Sequence, residues 1–433
     1  MLNNTFALKG TFCYSKDPQN LIVRENAYLI CKNGISEGIY DELPACFQGI
    51  PVIDHENKLI IPGLTDLHLH APQYTFRGTG MDLELLDWLD TSAFPEEARY
   101  ADLDYAQKAY QIFTEDLKRS PTTRACIFAT LHPEATLLLM EQLENTGLKT
   151  MVGKVNMDRN APSYLKEQDA VASATATRQW ISDAADRHFE NTFPILTPRF
   201  VPSCSDELLG FLSEIQQEFH LPVQSHLSEN PGEIRWVKEL CPDSLFYGDA
   251  YDRFNLFGKD QCPTIMAHCV YSTEEEIALI KKQGVYIAHC PQSNTNLSSG
   301  IAPAARYLRE GLHIGLGTDI SGGFSLSMLR AIADAIQVSK LRWRLIDPSL
   351  KALTLPEAFY MATIGGGSFF GKTGSFEKGY ELDAVVLDDS SLPSPRPLPP
   401  LTRLERLIYL SDDRNIIQKF VCGNPIFSNT EDR

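Results

Sequence analysis

No apolar run in this 433-residue chain approaches the roughly 20 residues needed to cross a bilayer, so no membrane-spanning role is expected. The first residues, Met1-Leu2-Asn3-Asn4-Thr5-Phe6, lack the basic stretch and long apolar core of a secretory leader. Basic charge is scarce: 39 Lys and Arg against 56 Asp and Glu leave a net charge of −17. Sequence-independent binding to nucleic acid or an anionic membrane needs clustered cations that neutralise phosphates, and neither partner is expected. The 10 cysteines include no pair at CxxC spacing, which weakens a redox or structural-zinc role. Cys126, Cys269 and Cys290 lie inside apolar runs, where a thiol behaves as a small hydrophobe. A reducing cytoplasm is the expected compartment. Internal repeats and charged tails are also missing.

What is present is an ordinary globular composition, 43% hydrophobic and 22% charged. The length exceeds a typical domain of about 100–200 residues. It suits a (β/α)8 barrel of about 250 residues or more with a smaller companion. Eight apolar, β-rich runs recur: Leu59–Leu69, Arg124–Leu131, Thr150–Met157, Phe193–Val201, Leu221–Leu227, Thr264–Val270, Gly284–Cys290 and His313–Ile320. Helix-like stretches separate them, such as Asp206–Phe219 and Thr273–Lys282, opening with Ser or Thr capping chemistry and acidic first turns. Strands alternating with helices predict a parallel sheet, and eight such units predict a closed α/β barrel of the TIM type. The flanks carry short alternating runs, Phe6–Gly10 and Ala27–Cys31 before the barrel, Gly379–Asp388 and Ile416–Val421 after it. Both termini are therefore expected to meet in one small β-sandwich-like domain, residues 1–59 with 376–433, around a barrel of 60–375. Ser390–Pro400, with five prolines, reads as an exposed extended loop.

The chemistry concentrates at the ends of these runs. His68 and His70 stand two apart in Asp66-Leu67-His68-Leu69-His70, so they point to the same side of a strand, about 7 Å apart. Alone, the pair could be two hydrogen-bonded polar residues or two metal ligands. His226 ends the fifth run, His268 the sixth and Asp319 the eighth. The C-terminal strand ends of such a barrel face one cleft, where active sites are built. Ionisable groups there are costly to desolvate unless something compensates them, and one metal site compensates several at once. His68, His70, His226 and Asp319 offer three imidazole nitrogens and an oxygen, a donor set that leaves room for water. One zinc ion is expected, with iron or another first-row ion the alternative. His268 reads as a hydrogen-bond partner of the water. Glu229 follows His226 by three residues; it is either a proton-transferring carboxylate over the cleft or a cap for the segment starting at Pro231.

Three other features are weaker. His132-Pro133-Glu134 matches the H-x-E of zinc nucleoside-type deaminases, but their PCxxC is missing. Lys154 reads as a solitary polar residue near the end of the third run rather than a metal-bridging lysine. His289 ends a run without an assignable role. The stretch between Tyr74 and Pro95 has no strand of its own and carries Leu83-Glu84-Leu85-Leu86-Asp87-Trp88-Leu89, which suits a lid over the barrel mouth or a plain surface helix.

Pro62-Gly63-Leu64-Thr65-Asp66-Leu67-His68-Leu69-His70, with the later His, His and Asp, resembles the amidohydrolase superfamily in its mononuclear deaminase branch. His70-Ala71-Pro72-Gln73-Tyr74, Trp88, Phe94-Pro95, Thr197-Pro198-Arg199-Phe200, Ser225–Asn230, Met266-Ala267-His268, Ala288–Pro291 and Gly315–Asp319 are similar to guanine deaminases within that branch. The resemblance runs from about residue 60 to 387; Pro72 departs from the usual Ala or Ser. It implies zinc on His68, His70, His226 and Asp319, with Glu229, His268 and Asp319 as catalytic groups. It implies a purine bound by Gln73 and Arg199, with Phe200 against its face. His70, Ala71, Pro72, Trp88, His226, Glu229 and Asp319 complete the expected substrate contacts. It also implies a homodimer and the conversion of guanine to xanthine and ammonia. The nearest alternative is a related enzyme acting on another purine, a pyrimidine or a triazine; a non-catalytic scaffold is the remoter one.

Overall fold

A computed structural model describes residues 5–258 and 262–429; Met1–Asn4 of the opening segment lie outside them. Eight parallel strands close a barrel. The first, Leu64–His70, pairs with Thr122–Phe128, which pairs with Lys149–Gly153, which pairs with Thr192–Pro194. The third and fourth strands each continue past a break, as Val155–Asn156 and Thr197–Pro198, and pair again. The Leu196–Val223 bridge leads to the fifth strand, Val223–Leu227, followed by Thr264–His268, Tyr286–His289 and Ile314–Leu316. The ring closes where Asp319 N–H donates to His68 O (2.8 Å) and His70 N–H donates to Ile320 O (2.8 Å).

Helices cover the outside, and capping sets their starts. Ser205 Oγ accepts from Leu208 N–H at the head of Asp206–Phe219, and Thr273 does the same for Glu274–Gln283. Each side chain satisfies a backbone N–H that has no partner within its own helix.

Both flanks join one seven-stranded sheet, ordered Asn424–Ser428, Ile416–Val421, Ala384–Leu387, Val52–Pro62, Thr5–Ser15, Leu21–Lys32, Ile35–Tyr40. Leu59–Pro62, expected to open the first barrel strand, instead pair with Ala384–Leu387. The apolar run is continuous across two structures because both bury it. Gly63 makes the transition: any Cβ there would collide with Thr123, and its N–H donates to Asp383 O (3.0 Å). Arg124, 3% exposed on the second barrel strand, locks the two parts together, donating to Asp383 (2.7 Å) and Glu381 (2.6 Å). Of the expected Ser390–Pro400 loop, residues up to Pro399 are irregular and mostly exposed, and Pro400 opens the helix Pro400–Leu410.

Candidate active site at the C-terminal end of the barrel

Strand alternation aims His68 and His70 inward together, and the neighbouring strands deliver the rest. His70 Nε2 lies 3.2 Å from His226 Nε2. Asp319 Oδ1 lies 3.2 Å from His68 Nε2 and 3.6 Å from His70 Nε2, while Asp319 Oδ2 is 3.8 Å from His268 Nε2. His268 Nε2 in turn lies 3.4 Å from Glu229 Oε2. All six side chains are buried or nearly so. His268 (φ 76°) and Asp319 (φ 48°) both take the left-handed backbone region, a conformation costly for residues with a Cβ and one that gathers at functional sites. Both side chains line the cavity at the barrel mouth.

Burial lowers the basicity of His68, though Asp319 opposes it. His70 and His226 fall well below the usual imidazole range through burial and then the neighbouring imidazoles. Neutral imidazole is the ligand form. Asp319 stays well below the carboxylate range: burial works against ionisation, but His68 and His268 outweigh it. Two ring nitrogens facing each other at 3.2 Å share at most one proton. Neither nitrogen of His68 has a hydrogen-bond partner. Groups of His68, His226 and His268, and of His68, His70 and Asp319, each bring their ligand atoms within 4.8 Å of one another. These orphaned buried nitrogens beside a carboxylate fit a cation, which would satisfy them together.

Supports lie behind each group. His226 Nδ1 is 2.6 Å from Arg199 O, and His268 Nδ1 is 2.9 Å from Asn294 Oδ1. Asp66 accepts from Thr318 N–H (3.0 Å) and Oγ1 (2.5 Å), holding the loop before Asp319 against the first strand. Burial pushes Glu229 up to about 7, although His268 pulls the other way. Ser299 Oγ donates to Glu229 Oε1 (2.9 Å). The alternative role for Glu229 is filled by others: Asn230 and Glu233 form the capping box of Pro231–Leu240. Glu229 is left to face the cleft.

One cavity collects His70, Gln73, Trp88, Arg199, Phe200, His226, Glu229, His268 and Asp319, together with Leu85, Leu89, Glu233, Leu297 and Gly322. Ala71 and Pro72 are buried but do not line it, contrary to expectation. They sit in a 3-10 turn, Ala71–Phe76, where residues three apart share a face. Gln73 therefore returns to the side of His70 while Ala71 and Pro72 turn away. His289 does not line the cavity either: Ala288 and Cys290 pack inside the barrel, so the residue between them faces out. Lys154 is not solitary; it is fully buried and ion-paired with Glu167. His132 and Glu134 begin the helix Pro133–Glu144, and Glu134 is exposed. The Tyr74–Pro95 stretch folds as short helical turns, Leu85–Trp88 and Leu89–Ala93, that put Leu85, Trp88 and Leu89 over the cavity.

Sequence reasoning missed Glu97, Asn294, Ser299 and Asp66. Only Asp66 carried a local signal, its place two residues before His68 in the same strand. The others reach the site through contacts between distant segments.

Comparison with known proteins is consistent with this geometry. The amidohydrolase family pattern matches residues 59–426. A guanine deaminase of Dictyostelium discoideum is 40% identical over 382 residues, 87% of this chain and 84% of that protein. The Escherichia coli guanine deaminase is 34% identical, covering 87% and 85%. The crystal structure of a guanine deaminase from C. acetobutylicum with guanine bound in its active site superposes with a TM-score of 0.94 at 47% identity, covering 98% of this chain and 100% of that one. With a family match across most of its length and relatives at this identity, the chain belongs to the amidohydrolase family, alongside proteins named guanine deaminase.

Proposed function

We propose that this chain hydrolyses guanine to xanthine and ammonia. The observation that carries the reading is the convergence of His68, His70, His226 and Asp319 beside Glu229 and His268 in a cavity that also presents Arg199 and Gln73. One zinc ion on the three imidazoles and Asp319 suits that donor set, with iron second. When bound, the ion would act as a Lewis acid that lowers the pKa of water towards about 7.

The chain's own residues do the rest. Glu229 takes a proton from water and delivers it to guanine N3, which makes C2 electrophilic; burial raises its proton affinity, which suits a group that must both accept and donate. His268 faces the oxygen joined to C2 and donates to it, while the ionised Asp319 accepts its hydroxyl proton. The hydroxyl proton then passes to the departing amine, which leaves as ammonia as C2=O forms and the C2–N bond breaks, while N3 keeps the proton it received. Arg199 only donates, so it suits the O6 carbonyl of guanine, whereas the amino group of adenine would set donor against donor. Sites built on such hydrogen bonds reject the mismatched ligand by about 10⁴-fold or more. Phe200 borders the ring, and Trp88, Leu85 and Leu89 exclude water as a lid. In this reading the barrel, residues 60–375, carries every reacting group, and the terminal part, 1–59 with 376–433, carries none. The cytoplasm is the compartment proposed with this activity.

Following ultraviolet absorbance with guanine, adenine and cytosine tests the assignment. Guanine should be consumed and the others left; no guanine turnover with brisk turnover of another base would overturn it.

A further inference from the structure

We propose that Glu97 is the positioning residue that aims both purine-reading donors, Gln73 and Arg199, and thereby sets discrimination at the C6 substituent; the inference rests on the guanine reading above. Glu97 is 1% exposed and does not itself line the cavity. It sits on the short helix Phe94–Ala98, which follows the turns covering the mouth. Its Oε1 accepts from Gln73 Nε2 (2.7 Å) and Arg199 Nη2 (3.0 Å), and its Oε2 accepts from Arg199 Nη1 (2.5 Å). The two-point grip fixes the plane of the guanidinium, and the Phe94 ring lies 5.0 Å from its centre.

Gln73 is held just as firmly. Its Oε1 accepts from Ser321 N–H (3.1 Å) while its Nε2 donates to Glu97. Flipping the amide would set N–H against N–H and oxygen against carboxylate oxygen, so one orientation survives. The second hydrogen on Nε2 and the remaining guanidinium hydrogens are then left to turn to the cavity. Both are donors. A purine edge bearing a carbonyl meets them correctly; one bearing an amino group does not. Glu97 also balances the charge of Arg199, which a neutral purine cannot do, and an unbalanced buried cation beside a metal site would be strongly unfavourable.

The test compares guanine with 2,6-diaminopurine, which carries the same reactive 2-amino group but an amino group at C6. Native enzyme should strongly prefer guanine. In E97Q, kcat/KM for guanine should fall about 10²-fold, the scale of a misplacement of about 1 Å. The decline should appear mainly in KM, with metal content retained, and 2,6-diaminopurine should lose far less, so the preference collapses. E97D keeps the charge on a shorter arm and should recover part of it; it carries the same comparison if E97Q fails to fold. In the double variant R199M/E97Q the losses should be smaller than the product of the single losses, because part of the Glu97 effect passes through Arg199 and only the part through Gln73 remains. Parallel losses on both substrates, or multiplicative losses in the double variant, would overturn the proposal. Native enzyme without guanine turnover would instead remove the functional reading on which it stands.

Discussion

Replacing Glu229 by Gln isolates proton transfer from everything else at the site. The side chain keeps its length and volume. Ser299 Oγ, 2.9 Å from Oε1, can still donate to the amide oxygen. The amide nitrogen takes the place of Oε2, 3.4 Å from His268 Nε2, and no proposed metal ligand loses a neighbour. The capping box on the following helix belongs to Asn230 and Glu233 and is untouched. What disappears is a carboxyl group balanced near pH 7 that can take a proton and give it back. A positioned acid–base group contributes about 10²–10⁴-fold, or about 3–5 kcal/mol of barrier. E229Q should show that loss in kcat with guanine, followed by ultraviolet absorbance. Metal per chain, read by elemental analysis, should stay at the native value. Near-native kcat would remove Glu229 from proton transfer. A loss of metal matching the loss of rate would make it a structural support of the metal centre.

Three further outcomes are expected. D319N should lower metal affinity by more than about 10²-fold, beyond the cost of losing a group that merely supports a ligand; equilibrium dialysis against a chelator reads it, and undiminished affinity would exclude Asp319 as a ligand. R199M should cut kcat/KM for guanine by about 10²-fold or more at full metal content. It should also cost about 3–5 kcal/mol of stability, because the Glu97 carboxylate is left buried and unpaired; an unchanged Tm would contradict that pairing. In metal-stripped protein, Glu229 is pushed from its ordinary 4.5 up to about 7 by burial. The unfolded chain therefore ionises first as pH rises, and Glu229 costs the fold stability between those two values. Urea unfolding at about pH 5 and pH 8 should show E229Q gaining on the native protein with rising pH, whereas a constant difference would refute the shift.

The strand and helix order was legible because each element obeys a local rule. Ser205 and Thr273 announce their helices by capping, and the apolar runs announce the barrel strands by composition. Boundaries failed where one apolar run serves two structures. Leu59–Pro62 and the first barrel strand are equally buried, and only Gly63, wedged against Thr123, separates them. Lys154 looked isolated because Glu167, its partner, sits beyond the strand that carries it. The resemblance implies Ala71 and Pro72 among the substrate contacts, and the pitch of a 3-10 turn takes them out of the cavity lining.

By itself the sequence determined that His68 and His70 share a face, that His226, His268 and Asp319 end later strands, and that a closed barrel brings such ends together. Period-two alternation and the directionality of parallel strands require no knowledge of distant contacts. Tertiary structure alone decided that Glu229 faces the cleft, since two carboxylates could have capped the next helix and packing chose Glu233. It alone decided that Glu97 grips Arg199 across 102 residues of chain. Such a pair leaves no periodic trace, because its geometry comes from how two segments dock and not from the order of residues within either.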